Sequence, residues 1–199
     1  MLAHGNNGQT LFHDDADYQR YLELLAGYAR RHGLNIFHFI LMPKHIHLIL
    51  EAPIGESLSE AMRGLSLAYG WTYRKRHRYS GHLWQGRFKS LLIDRDRELL
   101  GHGRQVEMDA VHAGLVTEPG QYPWSSYQTY AQGTALSFLA RHPEYEALGA
   151  CARERQERYR QLVQRMPQRP QHASSRYGFP VSARGRGRPK LEGITGETT

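Results

Sequence analysis

The feature that most constrains the fold is a pair of apolar segments separated by only three residues. Residues 34–41 and 45–50 are rich in Ile, Leu and Phe, and Met42, Pro43 and Lys44 stand between them. Three residues suffice for a tight turn, whereas parallel strands need a crossover of about a dozen residues or more. Because proline cannot donate to a central strand ladder, the sequence predicts an antiparallel hairpin that turns at Pro43.

Amphipathic helices are predicted on both sides of this hairpin. Apolar and aromatic side chains recur on one helical face over residues 16–32, a segment that follows two aspartates and ends in cations before Gly33. Ser57 and Glu60 form a capping box for a second helix, which we expect to end within the basic residues 74–78. Each helix has an apolar face that must be covered, and the hairpin can cover both.

The middle of the chain predicts one more strand and one more helix. Residues 88–93 are a strand candidate, and Asp94 or Asp96 can cap a third helix that runs to about residue 111. Gly101 and Gly103 lie inside this helix, where each costs about 1 kcal/mol relative to alanine. They therefore indicate a weakened element.

The order of elements indicates an α+β fold, an antiparallel sheet with helices on one face. A strand before the first helix would have to come from residues 1–11, which are polar and rich in Gly and Asn, so this strand is either very short or truncated. A long charged helix is predicted over residues 143–165, starting at a proline. We expect a domain over residues 1–130, a helical extension over 131–165 and a flexible tail over 166–199.

The positive charge of the chain is concentrated in two segments. The formal net charge is +7 over 199 residues, of which residues 71–89 contribute +6 and residues 166–199 contribute +4, which leaves −3 for the rest. A local basic patch is typical of proteins that bind polyanions, and a merely solvated surface is the alternative. The single cysteine, Cys151, excludes an internal disulfide and favours the cytoplasm. No apolar run approaches the ~20 residues of a membrane span, so no membrane partner is expected.

The most chemically distinctive motif is His45-Ile46-His47 in the second predicted strand. Residues i and i+2 of a strand project to the same face, so the two imidazoles lie side by side while Ile46 points to the core. Two neutral imidazoles can bind a divalent metal, but a third ligand must come from elsewhere. Because the chain has 12 histidines, a chance pair of hydrogen-bonded strand histidines is the alternative.

Residues 39–50, Phe-Ile-Leu-Met-Pro-Lys-His-Ile-His-Leu-Ile-Leu, resemble the signature of the REP-associated tyrosine transposases. These are single-tyrosine HUH transposases, in which two metal-binding histidines flank one hydrophobic residue. Other motifs similar to those of the family follow the same order over residues 4–130: His-Gly-Asn-Asn at 4–7, Gly-His-Leu-Trp-Gln-Gly-Arg-Phe-Lys-Ser at 81–90, Val-His-Ala-Gly-Leu-Val at 111–116 and Tyr-Pro-Trp-Ser-Ser-Tyr at 122–127. The resemblance implies a ferredoxin-like fold, a transposase-like domain over residues 1–130 and a role in DNA transposition.

The resemblance also implies a chemistry and shows where this chain departs from it. In the family, a helical tyrosine attacks single-stranded or hairpin DNA and forms a phosphotyrosine, assisted by a Mg or Mn ion. Alignment on residues 113–116 places Gln105 at the tyrosine position and Asp109 at the position of the third metal ligand. The implied metal site is therefore His45, His47 and Asp109. Because an amide cannot attack phosphorus, the sequence leaves open whether the chain is an enzyme.

Basic and aromatic side chains supply candidate DNA contacts. Within residues 71–89, aromatic rings that can stack on unpaired bases alternate with cations that can follow phosphates. Residues 186–189, Arg-Gly-Arg-Pro, resemble an AT-hook, which places arginine in the minor groove of A·T-rich duplex DNA. The candidate DNA-binding residues are Arg74, Lys75, Arg76, Arg78, Trp84, Arg87, Lys89, Arg104, Arg184, Arg186, Arg188 and Lys190.

Three functions stay open on the sequence alone. The first is a metal-dependent transposase of single-stranded DNA, the second a catalytically inactive DNA-binding remnant, and the third an RNA-binding α+β module that needs no metal. Gln105 is the sequence feature that distinguishes the transposase from the inactive remnant. The RNA-binding module is distinguished from both by whether the two strand histidines contribute to nucleic-acid affinity. Monomer and homodimer are both compatible with the sequence.

Overall fold

A computed structural model describes residues 1–53, 58–93 and 99–165 of the chain. In this part of the chain, strands β1 (Leu2–His4), β2 (Asn35–Met42) and β3 (His45–Glu51) form an antiparallel sheet in the order β1-β3-β2. β2 and β3 are the predicted hairpin, and Met42 pairs with His45 across its turn. The α+β class is confirmed. Of the two alternatives for the first strand, the structure has the very short one.

The prediction of a strand over residues 88–93 was wrong, because these residues do not form a regular strand. Instead, an irregular segment, residues 83–89, runs along the free edge of β1. Leu2 and Lys89 exchange two backbone hydrogen bonds of 2.8 and 2.9 Å, and Gly5 forms a bridge with Trp84. Between these two contacts Gly86 adopts a positive φ of 68°, which interrupts the ladder. The segment thus takes the place of a fourth strand without forming one.

One face of the sheet is covered by α1 (Asp15–Arg31) and α2 (Leu58–His77). α1 begins where predicted, because the Asp14 carboxylate accepts a hydrogen bond from the backbone N–H of Asp17. The predicted cap at Ser57 lies outside the described residues. Buried side chains of the two helices and the sheet form the main core, among them Tyr21, Leu25, Ile36, Phe39, Leu41, Ile46, Leu48, Leu65 and Tyr69.

Helices also cover the second face of the sheet, not one face only as predicted. α3 (Leu99–Glu107) packs on β2 and β3, and the short α4 (Asp109–His112) follows after a turn at Met108. The reason is visible in β2, where all residues but the first are buried; its continuous apolar run is typical of a strand buried on both sides. The predicted third helix corresponds to α3 and α4, and its candidate caps Asp94 and Asp96 lie outside the described residues.

The long helix predicted over residues 143–165 is two helices. α6 (Pro143–Glu146) and α7 (Ala152–Gln164) are separated by a turn that contains Gly149, and the Glu154 carboxylate accepts from the backbone N–H of Ala150 just before α7 begins. With α5 (Tyr127–Gln132), these helices enclose a second buried cluster: Leu100, Tyr127, Tyr130, Ala131, Tyr145, Tyr159 and Val163. The division into three segments at residues 130 and 165 stays a prediction.

Among the described residues, no helix combines the length and the apolar character needed to cross a membrane.

Candidate metal centre

His45 and His47 project from the same face of β3, as the strand period predicts. Their ring centroids lie 5.0 Å apart. His47 is buried, with 7% of its surface exposed, and His45 is partly exposed. Ile46 between them is fully buried in the main core on the opposite face. The core therefore fixes the strand, and the strand fixes the direction of both imidazoles.

Asp109, the first residue of α4, approaches both histidines from the helical layer. Its Oδ2 atom lies 3.4 Å from His47 Nδ1 and 4.0 Å from His45 Nε2. One ligand atom from each of the three side chains lies within 4.8 Å of the other two. Two imidazole nitrogens and a carboxylate oxygen are a donor set that suits a divalent cation, so the residues present fit a metal.

Burial keeps His47 neutral. The pKa of His47 is lowered to about 4, mainly by burial and also by the nearby His45 and the N-terminal amine, against the opposing effect of the Asp109 carboxylate. Burial also lowers the pKa of His4, with smaller contributions from His45 and Lys89. Near pH 7 these imidazoles are uncharged, and a neutral imidazole has the lone pair that a metal requires.

A buried hydrogen-bond network positions α3, the helix that leads to Asp109. The fully buried carboxylate of Glu107 accepts hydrogen bonds from His38 Nδ1 at 2.9 Å, from the Ser126 hydroxyl, and from the Tyr159 hydroxyl at 2.7 Å. The donors come from β2, the residue before α5, and α7. The network therefore ties four elements together immediately beside the candidate ligand.

Sequence reasoning missed this network and misread one of its signals. The glycine at position 103, interpreted as a weakness of the helix, allows α3 to approach β2, since a Cβ atom there would lie 2.4 Å from His38 Nε2. A glycine in a helix interior that is followed four residues later by an acidic residue, as in Gly103 and Glu107, is the signal that could have revealed the close packing.

Gln105 lies on α3, one turn before Asp109. Its side chain is partly buried, and its amide oxygen accepts no hydrogen bond from the described residues.

The nearby tyrosines of the 122–127 motif and of α5 are core residues. The Tyr122 hydroxyl donates to the Leu41 carbonyl and the Tyr130 hydroxyl to the Phe37 carbonyl, both at 2.6 Å, and burial raises the pKa of each phenol.

Six of the predicted DNA-binding cations are exposed, Arg76 and five others. Arg74, Lys75 and Arg78 lie at the end of α2, and Arg87 and Lys89 lie on the irregular segment beside β1. We call these five residues the basic surface. The predicted contacts Arg184, Arg186, Arg188 and Lys190 lie outside the described residues.

Arg76 differs from its neighbours because it forms ion pairs within the fold. Its guanidinium contacts the carboxylates of both Asp14 and Asp17 at the start of α1. Pairing with Arg76 lowers the pKa of Asp14 to about 2. The prediction that Arg76 contacts DNA is therefore not favoured by the structure; it joins the end of α2 to the start of α1.

Two further candidates are partly buried. Trp84 packs at the edge of the core, where its indole N–H donates to the Ser66 carbonyl at 2.9 Å. Arg104 on α3 is partly buried, and burial lowers its pKa. Within residues 71–89, the aromatic side chain that is open to solvent is instead Trp71, 62% exposed, with the Lys75 ammonium 5.3 Å from its ring.

Comparison with known proteins shows a similarity to transposases. A family profile described as "Transposase IS200 like" matches residues 4–100, a stretch that contains both strand histidines and ends before Gln105 and Asp109. A solved structure of a REP-associated tyrosine transposase bound to a REP hairpin is similar, with a TM-score of 0.57 and 19% identity over 70% of this chain and 82% of that chain. No curated protein matches the sequence. The chain is thus similar to the IS200-like transposases over residues 4–100 and has the fold of a REP-associated tyrosine transposase.

Proposed function

We propose that this protein binds single-stranded or hairpin DNA with the help of a divalent cation and does not cut it. The observation that carries the proposal is the convergence of His45, His47 and Asp109 in a chain whose residue at the nucleophile position is Gln105. Metal binding and strand cleavage are separate properties of such a site, and only the second requires the tyrosine.

The donor set supports a cation held by the two imidazoles and the carboxylate. Asp109 supplies the hard oxygen that Mg²⁺ and Mn²⁺ prefer, and the neutral His47 supplies a lone pair. When bound, the ion supplies a positive charge that can hold and polarise a DNA phosphate. The buried Glu107 network holds α3, the helix that leads to Asp109, so the ligand is positioned before the ion arrives.

A second surface, the basic surface, supports a nucleic-acid partner. No acidic residue lies between the five cations of the basic surface in the sequence. A cleft of about 450 Å³ lies beside them, lined by Asn6, Arg74, His82 and Trp84 among others. Its size and its mixture of aromatic, amide and cationic groups suit an unpaired base and its phosphate. The similar solved transposase is bound to a REP hairpin, which favours hairpin DNA as the ligand here.

The absence of cleavage follows from the chemistry of residue 105. A phosphotyrosine intermediate requires a hydroxyl that can attack phosphorus, and a carboxamide has none. Tyr122 and Tyr130 do not replace it, because their hydroxyls are buried and donate to backbone carbonyls. The active transposase and the RNA-binding module remain the competing functions.

The experiment uses the full chain, Mn²⁺ and an end-labelled DNA hairpin with single-stranded flanks. We expect binding that weakens with salt, that is stronger for the hairpin DNA than for an RNA of the same sequence, and that yields neither shortened strands nor a covalent adduct. Arg74→Ala should reduce the slope of log affinity against log salt by about 0.7 for a contact with a single strand. Cleaved DNA would establish the active transposase instead. Preference for RNA, with unchanged affinity in His45→Ala and His47→Ala, would establish the RNA-binding module.

We expect the protein to act in the cytoplasm. Its mass in solution with and without DNA, measured by light scattering, decides between the monomer and the homodimer that the sequence left open.

A further inference from the structure

A third histidine lies beside the candidate metal site. In the register of β1 and β3, His4 is directly opposite His45, and Leu2 is opposite His47. Side chains directly opposite each other in an antiparallel pair project to the same face, with Cβ atoms about 4.5–5.5 Å apart. His4 therefore shares the sheet face of His45 and His47. Its ring centroid lies 5.4 Å from that of His45, close to the 5.0 Å between the two strand histidines.

The backbone that carries His4 is held on both sides. Toward β3, the N–H of Gly5 donates to the Lys44 carbonyl at 2.8 Å, and toward the irregular segment the N–H of Gln85 donates to the His4 carbonyl at 2.9 Å. Gly5 is also tightly enclosed, since a Cβ atom there would lie 2.1 Å from the Gln9 carbonyl oxygen. Only the side-chain torsions of His4 are free to change its distance from the site.

We propose that His4 is a fourth ligand of the cation held by His45, His47 and Asp109. This inference rests on the proposed function, because it requires that the three converging side chains bind a metal. The three ligand atoms converge without His4, and the imidazole of His4 completes the set by rotation of its side chain. His4 is partly exposed, so the rotation displaces solvent and not the core.

The fourth ligand changes the metal that the site prefers. Two imidazoles and a carboxylate still suit Mg²⁺ or Mn²⁺, but three imidazoles and one carboxylate favour Zn²⁺ or Co²⁺, which accept nitrogen ligands in a tetrahedral arrangement. Because Zn²⁺ and Co²⁺ bind most sites with nitrogen ligands more tightly than Mn²⁺ does, we expect their advantage over Mn²⁺ to be larger in the full chain than in His4→Gln.

The test measures metal binding alone, on the full chain without DNA. Co²⁺ is titrated and its visible absorption is recorded, because Co²⁺ absorbs more strongly with four ligands than with six. Zn²⁺ affinity is measured by calorimetry. We expect His4→Gln to weaken Zn²⁺ binding at least about tenfold and to reduce the Co²⁺ absorption. His32, the residue that follows α1 and stacks on Tyr28, supplies the matched control His32→Gln, which should leave both unchanged.

The outcomes separate the two proposals. If His4→Gln binds Zn²⁺ and Co²⁺ as the unaltered chain does, the inference about His4 is overturned and the three-ligand site stands. If the unaltered chain and His47→Gln both fail to bind any of the metals, the metal site of the proposed function is overturned as well. His4→Glu keeps a ligand at this position and should retain tighter binding than His4→Gln; it also carries the test if His4→Gln does not fold.

Discussion

Replacing Tyr159 with phenylalanine removes one hydroxyl from the buried network that holds α3. The ring of Tyr159 is fully buried and packs against Tyr130 and Tyr145; phenylalanine keeps these contacts and leaves only the small space of one oxygen atom. What is lost is the 2.7 Å hydrogen bond to the Glu107 carboxylate. The two other donors to this carboxylate, His38 and Ser126, stay in place.

The magnitude follows from the charge of the acceptor. A hydrogen bond to a charged group contributes about 1.5–3 kcal/mol, whereas one to a neutral group contributes about 0.5–1.5 kcal/mol. We therefore expect Tyr159→Phe to lower the free energy of unfolding by about 2 kcal/mol. The matched control is Tyr145→Phe, which removes a 2.8 Å hydrogen bond to the neutral Tyr130 carbonyl in the same cluster and should cost about 1 kcal/mol.

Urea unfolding followed by circular dichroism measures both variants. The urea midpoint should decrease more in Tyr159→Phe than in Tyr145→Phe, with the m-value unchanged, since neither substitution alters the surface exposed on unfolding. In a domain of this size, about 2 kcal/mol corresponds to a decrease in Tm of roughly 4–8 °C. Equal losses in the two variants would refute the argument that Glu107 acts as a charged, buried acceptor.

Two further predictions concern packing and pH. Gly103→Ala should destabilise the fold by about 1–3 kcal/mol, because its Cβ would lie 2.4 Å from His38 Nε2. Gly101→Ala should instead stabilise the fold by up to about 1 kcal/mol, because nothing lies within 4 Å of its Cβ. Thermal unfolding of both variants measures whether the two changes have opposite signs. The pKa of Asp14 is lowered from 3.8 to about 2 by Arg76, so the pairing stabilises the fold above about pH 4 and is lost as the pH falls toward 2. Asp14→Asn should therefore have a lower Tm than the unaltered chain near pH 6 and the same Tm near pH 2, and a constant difference would contradict the pairing.

Local sequence patterns predicted the helices and strands whose buried side chains recur with a regular helical or strand period. The helix expected over residues 16–32 spans Asp15–Arg31, and the strand period placed His45 and His47 on one face. The segment expected to be a strand over residues 88–93 failed for a tertiary reason: it pairs with a strand of only three residues, and Gly86 interrupts the pairing.

The candidate site was only partly predictable. Asp109 was found by alignment, but its approach to His47 depends on the packing of α3, which the Glu107 network fixes through donors up to 69 residues away in sequence. The ion pairs of Arg76 with Asp14 and Asp17 likewise join segments about 60 residues apart. The sequence shows that a basic residue is present but not which acidic residue it contacts, because the ion pair forms only in the folded chain.

The covalent step is the most direct test of the central claim, that this chain retains the cation site but lacks the nucleophile. Gln105→Tyr is incubated with Mn²⁺ and the labelled hairpin DNA, and a protein–DNA adduct that survives denaturing electrophoresis is sought, with His47→Gln added to the same chain as the control. We predict an adduct for Gln105→Tyr, none for the double variant and none for the unaltered protein. An adduct formed by the unaltered protein would contradict the account.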